Sequence, residues 1–197
     1  TVEFGDTLEQ DLVRRDFTVN AMALRIPGPA LVDPTGGVED LVRETLRTPT
    51  DPDVSFGDDP LRMLRAARFA SQLGMQVDDA TIEAMTRLAS TLAIVSPERI
   101  QGELVKLLAT ERPGDGIRLL VDTGLMELFL PEVPALRLEV DEHHHHKDVY
   151  EHSLTVLAQT IDLEQSRHPD AAPDVTLRLA ALLHDIGKPA TRKLEPG

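Results

Sequence analysis

The 197-residue chain has no cysteine, no tryptophan and a single tyrosine, and aromatics make up only 3% of it. Without thiols there is neither a disulfide framework nor a thiolate metal site, so any metal must be held by histidine and carboxylate. With so few rings, a platform that stacks several bases on aromatics is not expected. No apolar run reaches the roughly 18 residues of a membrane span, and no charged-then-apolar leader opens the chain. A cytoplasmic protein with no membrane partner is the expectation. Positive charge is also scarce: 20 Lys and Arg stand against 34 Asp and Glu, a formal net charge of -14. Sequence-blind binding to nucleic acid needs a basic surface that displaces counterions, so any RNA contact here must run through local helices carrying Arg and Lys.

What is present suffices for a core. At 41% hydrophobic, the length fits one large domain or two small ones. TVEFG at the start reads like the end of a strand already under way. DTLEQDLVRRDF, capped by Asp6 or Thr7, reads as a helix, and VNAMALRI and ALVDP read as a hairpin joined by Pro27 to Pro29. TGGVEDLVRETLRTP reads as a glycine-hinged loop into a short helix, and TDPDVSFGDDP as a turn-rich link. Beyond it the chain is almost purely helical. PLRMLRAARFASQLG starts at Asp58 or Asp59 with Pro60 and stops at Gly74. DDATIEAMTRLAS and SPERIQGELVKLLAT follow, the latter capped by Ser96, then two shorter helices, then the longer KDVYEHSLTVLAQTIDL and DVTLRLAALLHDIG. Strands followed by helices imply an α+β chain with an incomplete β part.

Four blocks carry candidate chemistry. RRDFTVNAM gathers Arg14, Arg15, Asp16 and Asn20 where a helix turns into a strand, and it suits either a ligand grip or a buried polar corner. DPTGGVEDL allows close backbone approach and anion contact at a helix start, or is a plain glycine turn. In DDPLRMLRAARF, Asp59 and Arg62 are three apart and Arg65 continues that side. A carboxylate accepts from a base amino group while a guanidinium donates to a ring nitrogen, so the pair matches a nucleobase edge; the plainer reading is a helix cap with surface ion pairs. SPERIQGELVKLL is the fourth block.

In this order the four blocks resemble the class II tRNA nucleotidyltransferase and poly(A) polymerase family, from about Asp11 to Leu108. The resemblance implies an enzyme adding CCA to tRNA 3′ ends from CTP and ATP. It implies that Arg14, Arg15, Asp16 and Asn20 contact the nucleotide and link head to neck, and that Asp59 and Arg62 read its Watson–Crick edge. Arg65 and Arg68 would lie near base or phosphate, while Glu98 and Arg99 brace the neck. Asp58 stands where the family usually has Glu. The family's Mg2+-binding Asp-x-Asp pair has no counterpart here and would precede Thr1. The chain is therefore expected to be a piece of a longer enzyme, inactive alone in nucleotide transfer. The Asp59/Arg62 reading fails if both prove turned away and locked to unrelated neighbours.

The implied division is residues 1–50 as part of a head, 51–140 as neck and body, and 141–197 as the start of a further helical domain. That last part holds DEHHHHKDVYEHSL, with five of the seven histidines. An internal run continuing into a helix is not a purification tag. YEHSL and LLHDIGK resemble the HD metal-dependent phosphohydrolase domain, which implies that His152, His184 and Asp185 hold a divalent ion. A further Asp that the HD pattern needs is not reached before Gly197, so weak metal affinity is expected. His143 to His146 lack partners at motif spacing and are expected in a solvated loop. Three other readings stand beside the first: a poly(A) polymerase, an HD phosphohydrolase with a helical front, and an RNA-binding adaptor, which the acidic balance opposes.

Overall fold

A computed structural model describes residues 7–138, 140–141 and 147–191. Helix α1 (Leu8–Val13) starts in a reciprocal cap, in which Thr7 Oγ1 accepts from the Gln10 N–H at 3.2 Å and Gln10 Oε1 accepts from the Thr7 N–H at 3.3 Å. It ends earlier than the sequence suggests, because Phe17 leaves the helix for the core, where it is fully buried. The expected strand from Val19 also begins late. Thr18–Asn20 form a single 3-10 turn, with the Thr18 hydroxyl donating to buried Asp40 at 2.6 Å and the Thr18 N–H to the Arg47 carbonyl at 3.0 Å. Only β1 (Ala23–Arg25) and β2 (Ala30–Val32) pair as the expected antiparallel hairpin, with Ala23 opposite Val32.

Helix α2 (Gly37–Val42) explains the paired glycines. Gly36 sits at φ 79°, and a Cβ on Gly37 would lie 2.2 Å from the Thr18 carbonyl oxygen. Close packing is thus what Gly37 provides. The helix start is filled from within, since Asp33 accepts from the N–H groups of Gly37 at 2.8 Å and Val38 at 3.0 Å. Burial would raise the Asp33 carboxyl, but these bonds, with Thr35 and Gly36, hold it below the usual range.

The turn-rich link of the sequence reading is a helix, α3 (Pro52–Asp58). Asp51 caps it by accepting from Asp53, Pro52 opens it, and burying Phe56 outweighs the weak propensity of its Gly and Asp residues. Helix α4 (Leu61–Leu73) runs through the middle and ends at Gly74 in the left-handed region. A short parallel pair, β3 (Thr45–Leu46) with β4 (Gln76–Val77), ties the head side to its far end. Asp78 caps α5 (Asp79–Leu88), which packs on α3.

Helices α6 (Pro97–Leu108) and α7 (Pro113–Asp122) pack against α4 around Met63, Leu64, Ala67, Leu107, Ile117 and Leu120. Ser96 does not cap α6 with its side chain as expected; its hydroxyl serves Glu98 instead, helping to hold that carboxyl low after the backbone bond of Glu98 itself. Beyond the short α8 (Glu132–Ala135), the two-residue strands β5 (Val140–Asp141) and β6 (Lys147–Asp148) pair antiparallel. The run His143 to His146 lies outside the described residues. Helices α9 (Val149–Arg167) and α10 (Val175–Leu183) pack together, and α11 (Lys188–Thr191) closes the described chain. Arg178, 2% exposed, fixes this pair to the rest by donating to the carbonyls of Leu108 at 2.8 Å and Thr110 at 2.7 Å, and ties α10 to α9 by donating to Glu164 at 2.7 Å. Among the described residues no helix is long and apolar enough to cross a membrane.

Candidate nucleotide-reading seam and metal centre

The N-terminal block meets α4 along a polar seam. Asp16 is buried, and its Oδ1 accepts from the Phe17 N–H at 2.9 Å and from Asn20 Nδ2 at 3.3 Å. Its Oδ2 faces the Arg65 guanidinium at 2.5 Å. Arg62 donates to Ser55 Oγ at 2.9 Å, to the Ser55 carbonyl at 3.3 Å and to the Arg14 carbonyl at 2.6 Å. Asp59 accepts from the Leu61 N–H at 3.2 Å, capping α4, and from Arg99 on α6 at 3.1 Å. Arg15 pairs with Asp11 at the exposed surface.

Arg68 stands apart from the others. It is 11% exposed, bonded to Glu103 at 2.7 Å and to Gln72 at 2.9 Å, with its guanidinium 3.9 Å from the Phe69 ring centre. Burial acts to raise the Glu103 carboxyl, but hydrogen bonds from Lys106 and Arg68 and their charges keep it below the usual range. Arg68 therefore clamps α4 to α6. Asp59 and Arg62 are held but not exhausted. An ionised carboxylate offers about four acceptor sites and a guanidinium five donors, against three bonds made by Arg62.

The second cluster lies where α9 meets the end of α10. One ligating atom each from His152, His184 and Asp185 fall within 4.8 Å of one another. His184 Nδ1 is 2.8 Å from the Ala181 carbonyl, which can only accept, so that nitrogen carries the proton. Its Nε2 lies 3.2 Å from Asp185 Oδ2, with His152 Nε2 at 4.0 Å from the same oxygen. A cation placed among these three atoms would be within reach of all of them. Lys188 Nζ, 2.8 Å from that oxygen, supplies one nearby charge. Two imidazoles and a carboxylate, one ring oriented by a backbone carbonyl, are a fitting donor set for a divalent ion.

Residues 1–47 match the family described as "Poly A polymerase head domain", residues 74–136 "Probable RNA and SrmB- binding site of polymerase A", and residues 149–196 "HD domain". An A-adding tRNA nucleotidyltransferase of Deinococcus radiodurans is 42% identical over 99% of this chain and 44% of its own length. A multifunctional CCA protein of Ectopseudomonas mendocina is 40% identical over 96% of this chain and 45% of its own. The chain belongs to the tRNA nucleotidyltransferase and poly(A) polymerase family. It spans less than half the length of these curated relatives. Among solved structures, a tRNA nucleotidyltransferase complexed with a primer tRNA and an incoming ATP analog superposes with a TM-score of 0.72 at 27% identity, over 94% of this chain and 52% of that one. A CCA-adding enzyme of Bacillus stearothermophilus in complex with CTP gives 0.60 at 27% identity, over 95% and 56%. The α+β architecture expected from the sequence agrees with these neighbours.

Within this member of the family, the sequence reading missed Ser55. The residue sits in the segment read as a link, and only the helical turn of α3 brings its hydroxyl to Arg62. The Asp51-Pro52 cap signal would have found that helix.

Proposed function

We propose that this chain is the nucleotide-selecting and RNA-gripping portion of a cytoplasmic tRNA nucleotidyltransferase that builds CCA ends from CTP and ATP. One observation carries the reading: the separate blocks converge through their own side chains. Arg62 reaches the Arg14 carbonyl, Arg65 reaches Asp16, Arg99 reaches Asp59 and Arg68 reaches Glu103. Residues 1–50 serve as part of the head, 51–140 as neck and body, and 141–197 as the start of the HD domain.

In this mechanism Asp59 accepts from the exocyclic amino group of C or A, while Arg62 donates to the adjacent ring nitrogen. Uracil and guanine present a carbonyl and an N–H at those places, setting acceptor against acceptor and donor against donor. The two residues select the nucleotide. Transfer itself rests on Mg2+ bound by the family's head carboxylates, and no step of it is assigned to this chain. In the full-length protein, Asp59→Ala and Arg62→Ala should each lower the CTP-over-UTP ratio of kcat/KM on tRNA by about tenfold or more. An unchanged ratio overturns the assignment. Use of ATP alone on any RNA would point to poly(A) polymerase.

A second activity is favoured by the cluster at α9 and α10. His152, His184 and Asp185 would hold a divalent ion, whose chemistry is to activate water for phosphoester hydrolysis. Within it, the Ala181 carbonyl fixes the His184 ring and Asp185 supplies the anionic ligand.

A further inference from the structure

Asp59 and Arg62, three residues apart at the start of α4, are a spacing at which opposite charges ordinarily pair. They do not pair with each other. The carboxylate goes to Arg99, and the guanidinium to Ser55 and the Arg14 carbonyl. Arg62 also differs from its neighbours on α4, because Arg65 and Arg68 each meet a carboxylate while the described residues give Arg62 only neutral acceptors. Its charge and its remaining donors stay available to a ligand. Ser55 is 1% exposed, so its hydroxyl is held in a fixed direction by the packing of α3.

We infer that Ser55 and Arg99 are positioning residues that keep the two base-reading groups apart, and that nucleotide selectivity depends on them. Without the Ser55 hydroxyl, one guanidinium nitrogen keeps only the 3.3 Å contact to the Ser55 carbonyl, so the group can pivot about its bond to the Arg14 carbonyl toward Asp59, three residues away. Without Arg99, the carboxylate can turn toward Arg62. Either way the readers neutralise each other and present no donor and acceptor side by side to a base edge. Ser55 carries more of the effect, since its bond to a charged group is part-buried and starts from a fully buried residue, while the Arg99 pair is half-exposed. The inference rests on the assignment of Asp59 and Arg62 as base readers.

The test uses the full-length protein with tRNA and either CTP or UTP. Ser55→Ala should lower the CTP-over-UTP ratio of kcat/KM by about tenfold, and Arg99→Ala by about two- to fivefold. Because alanine's helix preference offsets part of the lost hydrogen bond, Ser55→Ala should stay folded, melting within about 5 °C of the parent. Ser55→Thr, which keeps the hydroxyl, should restore the ratio. In an Arg62→Ala background, Ser55→Ala should change the ratio no further. A Ser55→Ala enzyme that loses activity equally toward both nucleotides, or keeps its ratio while Arg62→Ala loses it, overturns the role of Ser55 alone. If Arg62→Ala itself keeps the ratio, the base-reading assignment falls and this inference with it.

Discussion

The seam between the N-terminal block and α4, and the corner where α9 meets α10, both gather charged side chains, yet they balance charge differently. Along the seam and its continuation between α4 and α6, Asp16 faces Arg65, Asp59 faces Arg99 and Glu103 faces Arg68, and Arg62 rests on a hydroxyl and two carbonyls. Every one of these groups has a complementary partner. At the corner, two imidazole nitrogens converge on one carboxylate oxygen that already faces Lys188. Complementary pairing sets up donors and acceptors for a neutral edge such as a base. Two imidazoles gathered on one carboxylate suit a cation.

The largest expected effect breaks the seam. Glu103→Ala leaves the Arg68 guanidinium, 11% exposed, without its countercharge. Removing one partner of a buried pair costs about 3 kcal/mol or more, so urea unfolding should show a loss of that size. A loss below about 1 kcal/mol would mean that solvent screens the seam as it screens surface pairs. The next effect belongs to the corner. Adding a divalent metal at about 100 times its Kd should stabilise the parent chain by about 2.7 kcal/mol. His184→Ala should abolish that gain, whereas Glu103→Ala should retain it. Loss of the gain in both variants would show that the two regions are not independent.

Much of this was legible from residues alone, because caps and motif spacings are local. Thr7 caps a helix, Gly74 ends one, and the adjacent His184 and Asp185 reach His152 on the preceding helix. What escaped depends on tertiary packing or on drift. Helix α3 has a local start signal in Asp51-Pro52 but hides behind Gly57 and several aspartates, whose weak propensity is outweighed only by the burial of Phe56. The resemblance groups Arg68 with Arg65, which continues the side of Arg62, but steps of three fall short of a 3.6-residue turn. Each step rotates the side chain by about 60°, so Arg68 ends about 120° from Arg62 and faces α6. The two-residue pair of β3 and β4 is too short to leave any alternation in the sequence.

The smallest prediction sharpens the contrast with a third kind of charge, one satisfied by backbone alone. Asp33 meets no cation among the described residues; its partners are the N–H groups at the start of α2. Because folding lowers its pKa from 3.8, its contribution is present above the unfolded value and is lost as pH falls through the folded one. Asp33→Asn keeps one acceptor oxygen but removes the charge. At pH 7 the partly exposed site should lose about 0.5 kcal/mol after solvent screening. That difference should hold from neutral pH down to the region of 3.8 and vanish below it. Urea titrations of both proteins across this range decide the matter. A difference that persists unchanged below the folded pKa would assign the role of Asp33 to shape rather than charge, and would place it with Gly37 as a packing device.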